Sequence, residues 1–410
     1  MRVSRNVFRM AALGSLVVAF GCESGDRVTA PSRELTPGPV QKVLATTLTV
    51  TDVEQLYAAV NNPENAGSDI LLAPGTYVLS AVDGTGAPRP NGGRIELQQD
   101  MSLYGDAGDR SAVVIDAGAL PASSFTVSFG RTAPVRIGRG TNTVESLTIA
   151  GNAAAAAGIA TELTGTQTTN IRVAHVVAHG SSRGVDIRNV GASMIGRRIN
   201  AEIVENEFVG PTEIVGMTEG IRLANFVGAD GGAVFATLSG NRAHGFQIGL
   251  IIASNRSSNA TIDVRSAGDR YFANALGALV TAGLSQATTG VANNNLTTFE
   301  ARGTQFMDNT ADISDLDHGG LRFVAALSTV KANATSNNTL NVTLWGTKSE
   351  HNDTMDFEAF GAWKAAAPGI AGTNNRTTIK LNGVSRKIEG EVTPSFPADA
   401  GGTNSAIVIR

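Results

Sequence analysis

Short β stretches rich in Val, Ile and Leu recur along the chain, each followed by a polar turn and then by a Gly that opens a second stretch. Aromatic residues are 5% of the 410 and Gly reaches 47, so the core must be built from small aliphatic side chains and tight turns. A β-sandwich would need hairpin signals every ~8–12 residues, and no regular run of Asn-Gly or Asp-Gly turns is present. These observations predict an all-β fold, a single right-handed parallel β-helix solenoid with a short N-terminal capping helix. With 42% hydrophobic and 17% charged residues the chain can bury a large core. A solenoid keeps that core continuous over a length that would otherwise suggest two or three domains.

The first segment is not part of the solenoid. Arg2, Arg5 and Arg9 precede a short apolar run, Ala11 to Phe20, which is too brief to span a bilayer. It ends in Ala19-Phe20-Gly21-Cys22. This resembles the lipobox of bacterial lipoproteins, in which the Cys is lipidated and becomes the mature N-terminus. The resemblance implies a signal peptide over 1–21, lipidation at Cys22 and an exported envelope protein. Glu23 after the Cys implies sorting to the outer membrane. Cys22 is the sole Cys, so disulfides, Cys-based metal sites and thiol catalysis are excluded. Loss of 1–21 removes three arginines and no acid, taking the formal charge from −4 to −7. That balance argues against nucleic acid as a partner. Residues 22–46 are polar and carry Pro31, Pro37 and Pro39, the composition of a flexible tether.

The β-helix is expected over 47–410. Thr51 and Glu54 suit a capping box, and Val53, Leu56, Tyr57 and Val60 lie on one helical face. Asn61-Asn62-Pro63 ends the helix. A buried run from Ser68, a Pro74-Gly75 turn and a strand through Tyr77 follow. Ile95 to Leu97, Met101 to Gly105 and Val113 to Asp116 then continue the pattern. A helix followed by Ile-x-Leu-x-Pro-Gly-x-Tyr is similar to the cap and first coil of the pectate-lyase-like β-helix superfamily.

First strands of later coils are expected at Val144–Ile149, Ile171–Val173, Ile199–Ile203, Val234–Leu238, Ile262–Val264, Leu296–Phe299, Leu340–Leu344 and Ile379–Leu381, with a last strand at Ala406–Ile409. The polar turn recurs every 27 to 43 residues, at Asn152, His179, Asn206, Asn241, Asn274, Asn309 and Asn352. Re-entry strands begin at Gly158, Gly184, Gly220, Gly249, Gly277 and Gly320. A coil cannot bury its own inner face, so the coils must stack, and Asn side chains can form ladders along the stack. Roughly ten coils at ~4.8 Å make a rod about 50 Å long.

The superfamily resemblance implies polysaccharide as partner, with cleavage in some members. Aligning the re-entry glycines puts Asp186, Arg222 and Arg322 at one position, with Asp186 and Arg222 one rung apart and Arg188 and Glu219 beside them. These five are the candidate catalytic residues. A lyase needs a base and a cation to stabilise developing charge, and a hydrolase needs two carboxyls about 5–9 Å apart. The competing reading is a set of ion pairs between rungs. A second acidic cluster contains Asp312, Asp315 and Asp317, with Glu350 to Glu358 one coil later; its oxygens suit Ca²⁺. The five His form no zinc spacing, and no nucleophile elbow or phosphate loop occurs. Trp345 and Trp363 are candidates for stacking on a sugar or for the core. Two functions stay open: a surface-anchored rod that binds polysaccharide or serves as a structural or adhesive element, and a polysaccharide lyase or glycoside hydrolase acting on an acidic glycan.

Overall fold

The computed structural model describes residues 46–126, 133–161, 165–212, 216–285, 291–310, 319–328, 335–352, 356–364, 372–382 and 406–409. The expected signal segment, Cys22, the expected tether up to its last residue, and Asp312, Asp315 and Asp317 lie outside the described residues.

Three sheets run the length of the stack, one of twelve strands and two of nine, and every rung pairs with the next in parallel. The molecule is therefore a parallel β-helix, and the right-handed sense is the one that chain chirality favours for parallel crossovers. One coil illustrates the path. Arg198–Val204 lies in the long sheet, Glu207–Val209 in a narrow sheet and Glu219–Phe226 in a wide sheet, and Ala233–Ser239 then re-enters the long sheet. The expected first strands from Ile171 onward all fall in the long sheet, which ends at Ala406–Ile409. Twelve rungs at ~4.8 Å give a stack of ~53 Å.

A coil holds three strands, not the two expected. The first two narrow-sheet strands, Gly75–Val78 and Val113–Asp116, were expected, but the later ones, such as Arg242–His244 and Arg270–Phe272, are three residues long and show no periodicity to read. The expected strand Val144–Ile149 is broken for the same reason. Ser146 takes φ 60°, and the chain passes from Thr141–Glu145 in the long sheet to Thr148–Ala150 in the narrow one.

The single column of polar turns divides as well. Asn206 and Asn241 stand at the corner between long and narrow sheets, where Asn206 Nδ2 donates to Asn241 Oδ1 at 2.9 Å and Asn241 Nδ2 to Asp269 Oδ1 at 2.8 Å. Asn274, Asn309 and Asn352 form another ladder at the corner between narrow and wide sheets, with steps of 3.2 and 2.9 Å. His179 is the last residue of a narrow strand, with its side chain outward. A further ladder, Asn295, Asn338 and Asn375, precedes the long sheet. Most of these buried amide groups find partners in the next rung, as buried polar groups require; the Asn295 step is made by its backbone N–H, and its Nδ2 has no hydrogen-bond partner among the described residues.

The glycines at the start of the wide-sheet strands stack rung on rung. A Cβ on Gly249 would lie 2.7 Å from the Gly277 carbonyl oxygen, and one on Gly277 2.5 Å from that of Gly320. Close approach of backbones demands Gly at these places.

The helix spans Val53–Asn61 and buries Leu56, Tyr57, Ala59 and Val60. Its cap is Asp52, one residue later than expected, whose carboxylate accepts from the Gln55 amide at 2.8 Å. Tyr57 ties the helix to the first coil, donating to Gly93 O at 2.6 Å. Long-sheet strands alternate buried and open residues, whereas Glu219–Phe226, Ile248–Asn255, Leu276–Ser285 and Gly319–Ser328 are buried throughout. Both faces of the wide sheet are thus withdrawn from solvent. Its inner face feeds the main core through Ile221, Leu250 and Phe323. Its other face forms a separate apolar cluster with Ile251, Leu279, Val324 and Phe360.

Candidate functional site

The candidate charges stand on that other face of the wide sheet. Pairing defines one column through nine rungs: Glu96, Arg136, Ala160, Asp186, Arg222, Ile251, Leu279, Arg322 and Glu358. Asp186 and Arg222 occupy adjacent rungs, as the glycine spacing predicts. Arg188 and Glu219 join them. Arg322 does not: three rungs, ~14 Å, separate it from Arg222, and its Nε lies 2.6 Å from Glu358 Oε2.

The four that gather form a buried ion network. Glu219 is fully buried, and its two carboxylate oxygens receive Arg183 Nε at 2.6 Å and Arg222 Nη2 at 2.5 Å. Asp186 is 1% exposed with Oδ2 2.8 Å from Arg188 Nη2, an ion-pair contact without hydrogen-bond geometry. The Phe226 ring lies 5.3 Å from the Arg188 guanidinium and 5.8 Å from that of Arg222. Burial alone would raise the Glu219 pKa, but the charges and hydrogen bonds of Arg183 and Arg222 together outweigh it and hold the carboxyl below its ordinary value. Burial pulls Arg188 down to about 10 against the opposing pull of Asp186, so it stays protonated at neutral pH.

A general acid must hold a proton near working pH, and a general base must be basic enough to take one. A buried glutamate kept ionised between two arginines meets neither need. The network braces two rungs. Sequence reasoning missed Arg183, although it precedes Gly184 as Glu219 precedes Gly220 and so shares its register.

The second acidic cluster is described only in part. Asp308 Oδ1 lies 3.7 Å from His351 Nδ1, and Glu358 is held by Arg322. Among the described residues no three acidic, His or Cys side chains converge as metal ligands. Trp345 is 45% exposed at the end of a long-sheet strand, with the Arg302 guanidinium 5.6 Å from its ring.

Sequence reasoning also missed an open cavity of about 660 Å³, which Asp106, Asp109, Arg110, His175 and Glu205 help to line. His175 Nδ1 lies 3.3 Å from Glu205 Oε2, and Arg110 Nη2 lies 3.0 Å from Glu207 Oε2. The Ser111 hydroxyl and amide hold Asp109 below its ordinary pKa. Its signal was the loop Asp106 to Arg110, an insertion at a corner that later coils turn in two residues.

No protein family matches the chain, and no curated protein is similar to it in sequence. Solved structures similar to it include the catalytic domain of a GH87 alpha-1,3-glucanase in complex with nigerose, at 9% identity and TM-score 0.30, covering 89% of this chain and 68% of that one. Another is an alginate lyase from Paenibacillus sp. str. FPU-7, at 11% identity and TM-score 0.27, covering 88% of this chain and 99% of that one. The fold rests on the strand pairing described above, and these likenesses carry nothing about chemistry.

Proposed function

We propose that this protein is an envelope-anchored β-helix rod that binds polysaccharide without cleaving it. The observation that carries the reading is the state of the two candidate carboxylates: Glu219 is fully buried, Asp186 1% exposed, and both are neutralised by arginines of the same network. The surfaces open to a polymer lie elsewhere. The outward face of the long sheet repeats polar and charged side chains at each rung, including Arg172 between Glu145 and Glu202. Phe235 under Arg198 and the exposed Trp345 add rings to that face. Such rings suit the apolar faces of sugars, and the polar ladders suit their hydroxyls.

The test incubates the mature protein with acidic and neutral polysaccharides, with and without Ca²⁺. Binding, new reducing ends and the ultraviolet signal of unsaturated products are followed together. Binding without products is expected. Glu219→Gln is expected to leave binding intact while lowering stability by about 3–5 kcal/mol, because it removes the anion that the half-buried Arg183 and the buried Arg222 share. Product formation by the wild type that Glu219→Gln abolishes at a temperature where the variant stays folded overturns the reading in favour of a lyase or hydrolase.

A further inference from the structure

On the narrow sheet, Glu207, Arg242, Arg270, Gln305 and Lys348 form one outward column. Beside it run Val209, His244, Phe272, Met307 and Glu350. Arg242 and Arg270 are direct neighbours on adjacent rungs, and both are exposed. Like charges set opposite each other in a sheet repel. Other outward arginines of the rod have polar partners: Arg172 lies between Glu145 and Glu202, Arg302 against Glu300, and Arg198 donates to Asn200 Oδ1 at 2.8 Å. Among the described residues neither Arg242 nor Arg270 has a carboxylate within ion-pair distance. Glu207, on the rung before, is already engaged by Arg110 at 3.0 Å and faces His244 at 3.6 Å. Glu350 stands two rungs beyond Phe272, beside Lys348.

The two arginines are also held in place. Each guanidinium carbon lies 5.4 Å from the centre of the Phe272 ring, and His244 stacks on the same ring at 4.8 Å. Contact with the ring limits the rotamers of both side chains, which lowers the entropy lost when they grip a ligand. The local charge of Arg110, Arg242, Arg270 and Lys348 against Glu207 and Glu350 is positive, on a chain whose formal charge is −4.

We propose that Arg242 and Arg270, ordered by Phe272 and His244, bind carboxylate groups of an acidic polysaccharide laid along the narrow sheet. Guanidinium forks match carboxylates in geometry and charge. Successive carboxylates of one chain answer the two arginines, and Lys348 extends the track two rungs further. This rests on the polysaccharide-binding reading and specifies the class of glycan.

The experiment measures binding of the mature protein to polygalacturonate and to its fully methyl-esterified form, which keeps the backbone and removes the charge. The same measurements are made on the double variant Arg242→Gln, Arg270→Gln. Both positions are exposed, and an unchanged melting temperature confirms the fold. The wild type is expected to prefer the acid form, with affinity that falls as salt rises. The variant is expected to lose roughly tenfold to a hundredfold in affinity for the acid form, as loss of charge-assisted hydrogen bonds implies, and little for the ester. Acid-form binding unchanged in the variant overturns the site, as does a wild type that binds the ester at least as tightly; both leave polysaccharide binding standing. Failure of the wild type to bind any polysaccharide of the wider panel removes both proposals.

Discussion

Asp269 occupies a corner position where neighbouring coils place Asn206 and Asn241. Its carboxylate accepts from the Asn241 amide at 2.7 Å, from Asn241 Nδ2 at 2.8 Å and from the Ser266 hydroxyl at 2.5 Å. Burial raises its pKa to about 6 despite those hydrogen bonds. A carboxyl raised from 3.8 to about 6 favours the folded state most when both states are protonated, below about pH 4. That contribution is lost as pH rises through about 6 and amounts to at most ~3 kcal/mol. Asp269→Asn should therefore flatten this part of the pH profile and stabilise the protein at pH 7 to 8, since Asn continues the ladder without charge. Urea unfolding of both proteins at pH 4 and pH 7.5 checks it; equal differences at the two values would refute the assignment. Glu219 has the opposite sign: its lowered pKa contributes stability that is present above the ordinary carboxyl range and lost as pH falls through its folded value. The pairing of Asp186 with Arg222 was legible because both follow a stacked glycine by two residues. Burial of that network was not, since alternation tells which side of a strand a residue takes and not what lies over that side.

Among elements, two kinds of glycine separate cleanly. Gly249 tolerates no Cβ, which would meet the Gly277 oxygen at 2.7 Å and Asn274 Nδ2 at 2.8 Å. Gly268 has φ +67° with open space around it. Gly249→Ala is expected to destabilise by ~2 kcal/mol or more through forced separation of rungs. Gly268→Ala should cost only about 1 kcal/mol, for left-handed backbone alone. Thermal unfolding of the two variants tests the order, and a smaller loss for Gly249→Ala would contradict the stacked-glycine account. The long-sheet strands were readable, some from spans as short as Ile171–Val173 and Ile262–Val264, because they belong to strands of six or seven residues. The three-residue narrow strands were not, because a strand such as Gln305–Met307 carries too little pattern and owes its existence to the rungs on either side, whereas the four-residue ones, Gly75–Val78 and Val113–Asp116, were.

For the whole molecule, each coil buries its inner face only against its neighbours, so stability belongs to the stack. The helix over Val53–Asn61 packs on the first coil. Anchoring at Cys22 belongs to the proposed function, and its check is direct. Cells fed labelled fatty acid should incorporate it into the protein, and Cys22→Ser should abolish the label and release the protein from membranes; label retained by the variant would exclude that Cys as the attachment point.

Composition, alternation and the glycine spacing by themselves determined the solenoid class, the long-sheet strands and the register that joins Asp186 to Arg222, because these depend on neighbours along the chain and on a repeating backbone. Only the tertiary structure decided that each coil has three strands, that the polar turns belong to separate ladders, that Glu219 is enclosed by Arg183 and Arg222, and that Arg242 and Arg270 stand exposed with no carboxylate within ion-pair distance among the described residues. Those features depend on which residues of different coils meet, and coils of unequal length hide that meeting from the linear order.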